Sequence, residues 1–269
     1  MRTRVLLQVV FYFSLVTVAA TQSTQAPSKP YEPEVGQEGK DVVWVPTPQP
    51  VVDKMLDLAH VTAKDFVIDL GSGDGRTVIT AAKRGARALG IEYNPDMVEL
   101  SKKNAAKEGV TDRASFMKAD LFESDFSKAT VITMFLLPTI NMQLRPKLLE
   151  LRPGTRIASN SFTMEDWQPD QSVTVDGCES SWCTAHFWIV PAKVEGTWTS
   201  PQGDLKLTQK FQMISGTLGS SPIADGRLRG DELTFRAGTT KYTGRVNGKT
   251  INGSTSATGK SAAWTATRR

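Results

Sequence analysis

A glycine-rich turn between two acidic residues is the part of this 269-residue chain that could bind a nucleotide-like ligand. Asp69 ends the apolar run 66–68, and the turn GSGDG follows at residues 71–75. Glycine lets the backbone approach a ligand closely or adopt a positive φ, and a helix that begins after such a turn directs its free N–H groups to the same point. Glu92 ends a second apolar run, 88–91, and stands where a carboxylate can accept hydrogen bonds from a ribose diol.

The elements that must position these residues alternate between strand and helix. Hydrophobic periodicity predicts strands at 66–69, 88–92, 114–118, 130–135 and 156–162, and helices at 51–60, 76–84, 95–107 and 140–151, the last interrupted at Pro146. Such alternation requires a parallel, doubly wound sheet with helices on both faces. Asp120 follows the third predicted strand, so Asp69, Glu92 and Asp120 all lie at carboxyl ends of strands, where open α/β sheets bind ligands.

The spacing of the glycines selects among nucleotide-like cofactors. A dinucleotide fingerprint that begins at Gly71 requires a third glycine at position 76, where this chain has Arg76. The observed pattern, D-x-G-x-G-x-G followed by Glu92 and Asp120, resembles the class I S-adenosylmethionine-dependent methyltransferases. That resemblance implies a Rossmann-like sheet and S-adenosylmethionine as cofactor, bound by Thr47, Asp69, Gly71, Ser72, Gly73, Gly75, Glu92, Asn94, Asp120 and Leu121.

Each of these residues has a role that the family resemblance implies. The turn and Asp69 take the amino-acid end of the cofactor, and Glu92 accepts from both ribose hydroxyls, as carboxylates do well. Asp120 accepts from the adenine amino group, and the backbone of Leu121 donates. Thr47 belongs to a segment that folds over the cofactor.

Residues 42–192 resemble, more narrowly, a bacterial group related to the mitochondrial lysine methyltransferases that modify the adenine nucleotide translocase and the c-ring protein of ATP synthase. The segments VPTPQPVVDKMLDLA, DLGSGDGR, EYNP, ADLF, FLLP and LRPKLLELRPGTRIASNSF carry this resemblance. It implies methyl transfer to a protein lysine, and strands at 172–176 and 185–190 match the terminal antiparallel hairpin of class I methyltransferases. Two alternatives stay open: methylation of a membrane-associated small molecule, and a cofactor-binding module without turnover that presents the C-terminal β domain.

A lysine acceptor must lose a proton before it can attack. With a pKa near 10.4, holding the amine neutral at pH 7 costs roughly 4–5 kcal/mol, so a desolvating pocket or a base is required. No residue identifies itself as that base. The candidate acceptor wall follows the fourth and fifth predicted strands and consists of Phe135, Leu137, Asn141, Phe162 and Trp167, for which ordinary core or loop packing is an equal alternative.

Composition excludes several classes of function. The net charge is +4 and the pI about 9.0, with Lys and Arg scattered along the chain, which does not indicate nucleic-acid binding. Two His and two Cys are too few for a metal site, and His60 and His186 are interpreted as structural. Nothing in the sequence indicates an oligomeric state.

The N-terminus predicts an unusual location for such an enzyme. Residues 1–20 have the basic start, apolar run and small residues of a signal peptide or, alternatively, a membrane anchor, and 21–41 form a polar linker. The folded part is therefore expected to be exported, periplasmic or secreted, or held at a membrane. In an oxidising compartment Cys178 and Cys183 are expected to form a disulfide, with two free thiols as the alternative.

The C-terminal part, residues 193–269, differs in character from the rest of the chain. It is rich in Gly, Thr and Ser, lacks helical periodicity, and contains turn signals at 225–226, 247–248 and 252–253. The segments 226–233 and 244–251 resemble each other. We therefore predict a small antiparallel β domain of six to eight strands, a sheet or barrel, with Trp198 and Trp264 in its core.

Overall fold

The computed structural model describes residues 31–269. The predicted leader at 1–20 and the linker up to residue 30 lie outside the described residues. The first part contains the helices α1 (Gln49–Leu58), α2 (Arg76–Lys83), α3 (Pro95–Lys107) and α4 (Pro138–Leu149), and the strands β1 (Phe66–Leu70), β2 (Arg87–Glu92), β3 (Ala114–Lys118), β4 (Val131–Met134), β5 (Arg156–Asn160), β6 (Gln171–Thr174) and β7 (Thr184–Ile189). The second part contains β8 (Gly196–Ser200), β9 (Gly203–Lys210), β10 (Met213–Leu218), β11 (Ser221–Arg229), β12 (Glu232–Ala237), β13 (Thr240–Asn247), β14 (Thr250–Ala257) and β15 (Lys260–Arg268). Within residues 31–269 no helix is both long and apolar enough to cross a bilayer.

The first part is built around one mixed sheet in the order β3-β2-β1-β4-β5-β7-β6. Strands β1 to β5 are parallel, whereas β7 and β6 are antiparallel to their neighbours. Helices α1, α2 and α3 bury their apolar side chains on one face of the sheet, and α4 buries its own on the other. The predicted α/β fold, a doubly wound sheet with a terminal antiparallel hairpin, is confirmed.

The strand order reverses at β1, which has β2 on one side and β4 on the other. Loops that leave such neighbouring strands diverge, and this opens a crevice at their carboxyl ends. Asp69 lies in β1, in register with Gly90 and Thr133. Glu92 ends β2, and Asp120 lies two residues beyond β3. The topology thus brings the three acidic residues to one edge of the sheet.

The bounds of α2 and α3 agree with the sequence prediction to within one residue, whereas α1 and α4 each begin and end two residues earlier than predicted, and α4 also differs at its proline. That helix continues through Pro146, where an interruption was predicted. Proline removes one backbone donor and usually ends a helix. Here Leu144 and Leu148, on either side of Pro146, are buried against the sheet, and this tertiary packing outweighs the local preference.

The second part is a closed barrel of eight antiparallel strands, in the order β10-β11-β12-β13-β14-β15-β8-β9. Its interior is filled by apolar and aromatic side chains. Trp198 and Trp264 are 0% and 4% exposed, as predicted for core residues. The rings of Phe235 and Tyr242 stack with centroids 4.7 Å apart, and Trp264 meets both edge-on. The barrel is therefore a packed core rather than a ligand cavity.

Two of the three predicted turns in this part are wrong. Gly226 lies inside β11 and Gly253 inside β14, whereas only the signal at 247–248 forms a hairpin turn. A Cβ at Gly253 would lie 1.9 Å from the carbonyl oxygen of Thr243, and one at Gly226 would lie 2.2 Å from that of Ile214. These glycines are required because neighbouring strands approach closely in the barrel, not because the chain reverses there.

The barrel packs on the connection between β5 and β6. Phe211 stacks on Trp167 with ring centroids 5.8 Å apart. Arg227 pairs with the nearly buried Asp170 at 2.5 Å, and the backbone N–H of Ala192 donates to the carbonyl of Gly230. Aromatic stacking, an ion pair and backbone hydrogen bonds thus join the two parts.

Candidate functional site

One pocket opens at the carboxyl ends of β1, β2, β3 and β4. Nine of the ten predicted cofactor-binding residues line it: Thr47, Asp69, Gly71, Ser72, Gly73, Glu92, Asn94, Asp120 and Leu121. Gly75 does not. It begins α2 with φ +83°, and a Cβ there would lie 2.8 Å from the ring of Phe116. Gly75 is therefore required for packing between α2 and β3.

The glycine turn forms the floor of the pocket. Gly71 and Gly73 have φ of +73° and +53°, a region that favours glycine. A Cβ at Gly73 would lie 2.7 Å from the indole nitrogen of Trp44, so this glycine lets Trp44 cover the turn. Between them, the hydroxyl of Ser72 is buried and has no protein hydrogen-bond partner within residues 31–269. Buried polar groups normally have partners, so this hydroxyl is available to a ligand.

The carboxylate of Glu92 is held in a fixed orientation by two backbone groups. The N–H of Gly73 donates to its Oε2 and the N–H of Asn94 to its Oε1, both at 2.9 Å. Asn94 also caps α3 by accepting from the N–H of Asp96. A carboxylate has about four lone-pair sites, so Glu92 can still accept hydrogen bonds from a ligand in the pocket.

Asp69 is 6% exposed and accepts a 2.6 Å hydrogen bond from the hydroxyl of Thr133. Burial, reinforced by the negative charges of Glu92 and Asp74, raises the pKa of Asp69 to about 7, although Thr133 opposes the shift. Among residues 31–269 no cationic side chain pairs with this carboxylate. A ligand ammonium group would supply a cation and favour the ionised form.

Asp120 is bonded to a residue that the sequence analysis did not identify. The ammonium of Lys40 donates to Asp120 Oδ2 at 2.6 Å and lies over the rings of Tyr93 and Phe122, 5.3 and 5.7 Å from their centroids. Hydrogen bonds from Lys40 and from the N–H of Phe122 lower the pKa of Asp120. The pairing joins residues 80 positions apart, and no local sequence signal indicates it.

The covering segment, residues 37–47, closes one side of the pocket. The backbone N–H of Trp44 donates to the carbonyl of Gln37 at 2.9 Å, and the N–H of Gly36 donates to the carbonyl of Trp44 at 2.8 Å. Arg76 Nη1 donates to the carbonyl of Thr47 at 2.9 Å, and its guanidinium is held by Asp74. The position of Thr47 in this segment agrees with the expectation that it lies over the turn.

The predicted acceptor residues separate into four groups. Phe135 lines the pocket and stacks with Phe162, with centroids 6.0 Å apart. Asn141 is buried, and its amide donates to the carbonyls of residues 162 and 163, so it supports the wall from behind. Leu137 is 38% exposed at the start of α4. The assignment of Trp167 is wrong, because it is fully buried against Trp188 and the barrel.

The predicted disulfide between Cys178 and Cys183 is present. Its loop carries Trp182, which the sequence analysis missed and which contacts the rings of Phe162 and Phe135 at 5.1 and 6.0 Å. A Trp inside a short loop between two cysteines was a signal available in the sequence. The side of the sheet to which the loop folds was not.

Comparison with known proteins identifies the family. A family model for the ANTKMT methyltransferase domain matches residues 69–171. A protein-lysine N-methyltransferase of Saccharolobus islandicus is 48% identical over 138 residues, which cover 50% of this chain and 86% of the relative. The chain belongs to this methyltransferase family. It is a class I S-adenosylmethionine-dependent methyltransferase, and the resemblance inferred from its motifs is confirmed.

Two further relatives of this methyltransferase extend the comparison. The human lysine N-methyltransferase for the c-ring protein of ATP synthase is 40% identical over 117 residues, covering 43% of this chain and 50% of the relative. A solved structure of an RNA methyltransferase from Salinibacter ruber, in complex with S-adenosyl-L-homocysteine, is 49% identical. Its TM-score is 0.53, and the match covers 56% of this chain and 96% of that chain. The methyltransferase thus spans most of the Saccharolobus islandicus relative and half the length of the human one.

The residues of the pocket fit S-adenosylmethionine, the cofactor of the family. On the floor of the pocket, the buried hydroxyl of Ser72 has no hydrogen-bond partner within residues 31–269. A side chain at Gly71 or Gly73 would crowd Leu136 or Trp44, so the turn requires glycine at both positions. Asp69 lacks a cation, and Glu92 is oriented with lone pairs to spare. The methyltransferase therefore presents complementary groups for an ammonium and for hydroxyls along one pocket.

Proposed function

We propose that this methyltransferase modifies the ε-amine of lysine in a protein substrate. One observation carries the proposal. The acidic segment, residues 157–192, which forms much of the acceptor side, contains five Asp or Glu and no Lys or Arg, in a chain whose net charge is +4. Burial lowers the pKa of His186, which favours its neutral imidazole. Asp166 and Asp170 are paired with Arg145, Lys210 and Arg227 from outside the segment. Glu165, Asp176 and Glu179 form no ion pair within residues 31–269 and leave the segment negative, which favours a cationic lysine segment over nucleic-acid phosphates.

The names of the relatives support the same acceptor. Those of Saccharolobus islandicus and human are lysine N-methyltransferases. The Salinibacter ruber neighbour is described as an RNA methyltransferase. We favour lysine over RNA because a base-binding surface would be expected to carry Lys and Arg for the phosphates, and the acidic segment carries none.

The roles that we propose for the cofactor residues follow their geometry. Asp69, short of a cation, pairs with the ammonium of the methionine moiety, and Ser72 adds a hydrogen bond there. Glu92, fixed by Gly73 and Asn94, accepts from the ribose hydroxyls. Asp120 accepts from the adenine amine once Lys40 releases it.

The acceptor side must provide a neutral amine in a dry place. S-adenosylmethionine supplies a methyl group on a sulfonium, which a neutral amine displaces in line, leaving a thioether. Phe135 and Phe162 present apolar faces beside the pocket, and this desolvation favours the uncharged amine by lowering its pKa. Because no covalent intermediate is needed, positioning and exclusion of water are the main tasks of the residues on this side.

Substitution of Glu92 tests the cofactor assignment. In Glu92→Ala the loss of charge-assisted hydrogen bonds should weaken S-adenosylhomocysteine binding by about tenfold or more, measured by calorimetry. Asp120→Ala should weaken it as well. Glu99→Ala, on the exposed face of α3, is the control and should bind as wild type. Unchanged affinity in both site variants would show that the pocket residues are assigned wrongly.

The acceptor is tested with cofactor carrying a tritiated methyl group. The full chain is incubated with a cell extract, which is then separated into protein, RNA and lipid. Label in protein, recovered as methyl-lysine after acid hydrolysis, is the expected result. Label in RNA alone would replace the proposal with the activity described for the Salinibacter ruber protein, and label in lipid alone would favour a membrane-associated small molecule.

We further propose that the folded part of the enzyme works in an oxidising compartment. The leader-like segment at 1–20 motivates this, and the disulfide at Cys178–Cys183 is compatible with it. Fusion of the first 30 residues to a phosphatase that is active only after export should give active phosphatase. An inactive fusion would contradict the proposal.

A further inference from the structure

Three aromatic rings meet beside the cofactor pocket and form what we call the aromatic corner: Phe135, Phe162 and Trp182. Phe135 follows β4, Phe162 follows β5, and Trp182 lies in the loop between β6 and β7. The two Phe rings are nearly parallel, at 20°, whereas Trp182 is inclined to them at 59° and 49°. All three are half-buried. The corner therefore keeps aromatic surface open to solvent, next to a pocket that Phe135 also lines.

Phe162 is held in place by buried polar residues. Its carbonyl accepts from Ser159 Oγ at 2.7 Å and from the amide of Asn141 at 3.4 Å. The preceding residue, Ser161, has φ +57°, which turns the chain sharply. Asn141 Oδ1 and Asn160 Nδ2 are buried and without a hydrogen-bond partner in the part of the chain that the structure describes. These hydrogen bonds hold Phe162 in place, and the two unpaired amide atoms behind it can still bond to a ligand or to water.

Trp182 is held differently, by the disulfide. Cys178 and Cys183 close a loop with four residues between them, and Trp182 is the last of these. Inside the loop, its backbone N–H donates to Ser180 Oγ at 3.1 Å. A cross-link removes much of the conformational freedom of such a loop. We expect that without it the exposed connection would not hold the indole against the two Phe rings.

The connection between β6 and β7 that carries Trp182 bears two carboxylates. Glu179 lies inside the disulfide loop, Asp176 lies two residues before Cys178, and both are exposed. Neither forms an ion pair within residues 31–269. An exposed aromatic surface with unpaired carboxylates beside it is suited to an organic cation.

We propose that Trp182 completes an aromatic binding site that first receives the substrate lysine as its alkylammonium group, before the amine loses its proton to solvent and enters the cofactor pocket beside Phe135, and that the Cys178–Cys183 disulfide positions Trp182. A cation over several ring faces is attracted by their quadrupoles. Stacking of a nucleic-acid base is less favoured, because the two nearly parallel Phe rings already contact each other at a centroid distance of 6.0 Å, Trp182 is inclined to both, and the carboxylates repel phosphate. This inference rests on the proposed lysine acceptor and adds to it the residues that would select the amine.

The binding site can be tested without turnover. The full chain, saturated with S-adenosylhomocysteine, is titrated with Nα-acetyl-Nε-trimethyl-lysine amide, with its neutral analogue Nα-acetyl-norleucine amide, and with adenosine monophosphate. The indole N–H resonance of Trp182, identified by its absence in Trp182→Phe, should shift saturably with the cation and at least tenfold more weakly with the analogue. No shift with the cation, an equal shift with the analogue, or a shift with the nucleotide alone would overturn the proposal.

Turnover separates this inference from the proposed function. With limiting extract protein and tritiated cofactor, Trp182→Ala should lower methyl-lysine formation about tenfold, while its affinity for S-adenosylhomocysteine stays within twofold of wild type. Trp182→Phe should restore most of the activity, and the exposed barrel variant Met213→Ala is the matched control. If Trp182→Ala labels protein like wild type, the inference fails and the proposed function stands. If wild type labels no protein, the proposed function fails, and the titration still decides whether the cation site exists.

The disulfide is tested with Cys178→Ser/Cys183→Ser and with reduced wild-type enzyme. Both should raise the apparent KM for extract protein severalfold and leave cofactor affinity unchanged. The double variant should not respond to dithiothreitol, which excludes other effects of the reductant. An unchanged KM after reduction would show that the disulfide does not position Trp182.

Discussion

At the scale of single residues, the site is shaped by carboxylates in different surroundings. Asp69 is buried and short of positive charge, Glu92 is fixed by backbone donors, and Asp120 is already paired with Lys40. All three side chains are carboxylates, so the sequence alone does not distinguish their roles. Their surroundings make them suited to an ammonium, to hydroxyls and to an exchangeable cationic or amino group, respectively.

The raised pKa of Asp69 predicts a pH-dependent cost to stability. The pKa of Asp69 is about 7 in the folded protein against an ordinary value of 3.8, so unfolding releases a proton between these pH values. The free energy of unfolding therefore falls as the pH rises from about 4 to about 7. Asp69→Asn keeps an acceptor for Thr133 and removes the charge. Without cofactor, the variant should match wild type near pH 4 and exceed its free energy of unfolding by up to about 4 kcal/mol at pH 8. Urea unfolding at both pH values measures this, and an equal difference at both would contradict it.

Lys40 and the proposed adenine amine compete for the same carboxylate. Removing the competing ammonium in Lys40→Met should therefore tighten S-adenosylhomocysteine binding severalfold, whereas Lys40→Arg, which keeps the charge, should not. Calorimetry on both variants provides the comparison. Weaker binding by Lys40→Met would show instead that Lys40 contacts the cofactor.

At the scale of elements, the glycine turn and the covering segment depend on each other. Trp44 occupies the space that a side chain at position 73 would require, so the turn determines where the covering segment lies. Arg76, at the start of α2, fixes the other end of that segment through the carbonyl of Thr47. The pocket is thus closed by contacts from the same turn and helix that form its floor.

Gly73→Ala tests this dependence against a matched glycine. Gly73 and Gly248 have φ of +53° and +57°, but only Gly73 has a neighbour where a Cβ would lie. Both Ala variants should lose stability, by about 1 kcal/mol, from the backbone conformation. Only Gly73→Ala should also displace Trp44 and weaken S-adenosylhomocysteine binding, by about tenfold or more. Equal cofactor affinity in the two variants would show that Trp44 does not depend on the turn.

At the scale of the whole molecule, the sheet and the barrel share an interface close to the acceptor side. Trp167 begins the contact, stacked on Phe211, and Asp170 continues it through Arg227. The acidic segment therefore carries Phe162 and Trp182 of the aromatic corner and contacts the barrel at Trp167. We infer that the barrel stabilises the segment that we propose to recognise substrate.

Phe211→Ala should weaken this interface. Loss of a half-buried ring from Trp167 is expected to lower the free energy of unfolding by about 2 kcal/mol. Met213→Ala, two residues away and exposed, should change it by less than about 0.5 kcal/mol. Chemical unfolding followed by Trp fluorescence compares the two. An equal effect would mean that the stacked pair contributes no stability.

The sequence by itself determined the cofactor and the sheet. Glycine spacing and acidic residues at strand ends are local, because a turn and a strand end each occupy a few consecutive positions, and parallel topology brings such ends together. For the same reason nine of ten predicted cofactor residues line one pocket, and α3 begins and ends where Pro95 and the apolar period indicated.

Only the tertiary structure decided which residues far apart in the sequence contact each other. Lys40 on Asp120, the indole of Trp182 on Phe162, and the burial of Trp167 under the barrel all join residues that have no local relation. Gly226 and Gly253 have the composition of turns, but close strand packing in the barrel explains them. Local patterns thus determined which groups of the cofactor could be bound, and the fold determined which side chains surround the proposed acceptor site.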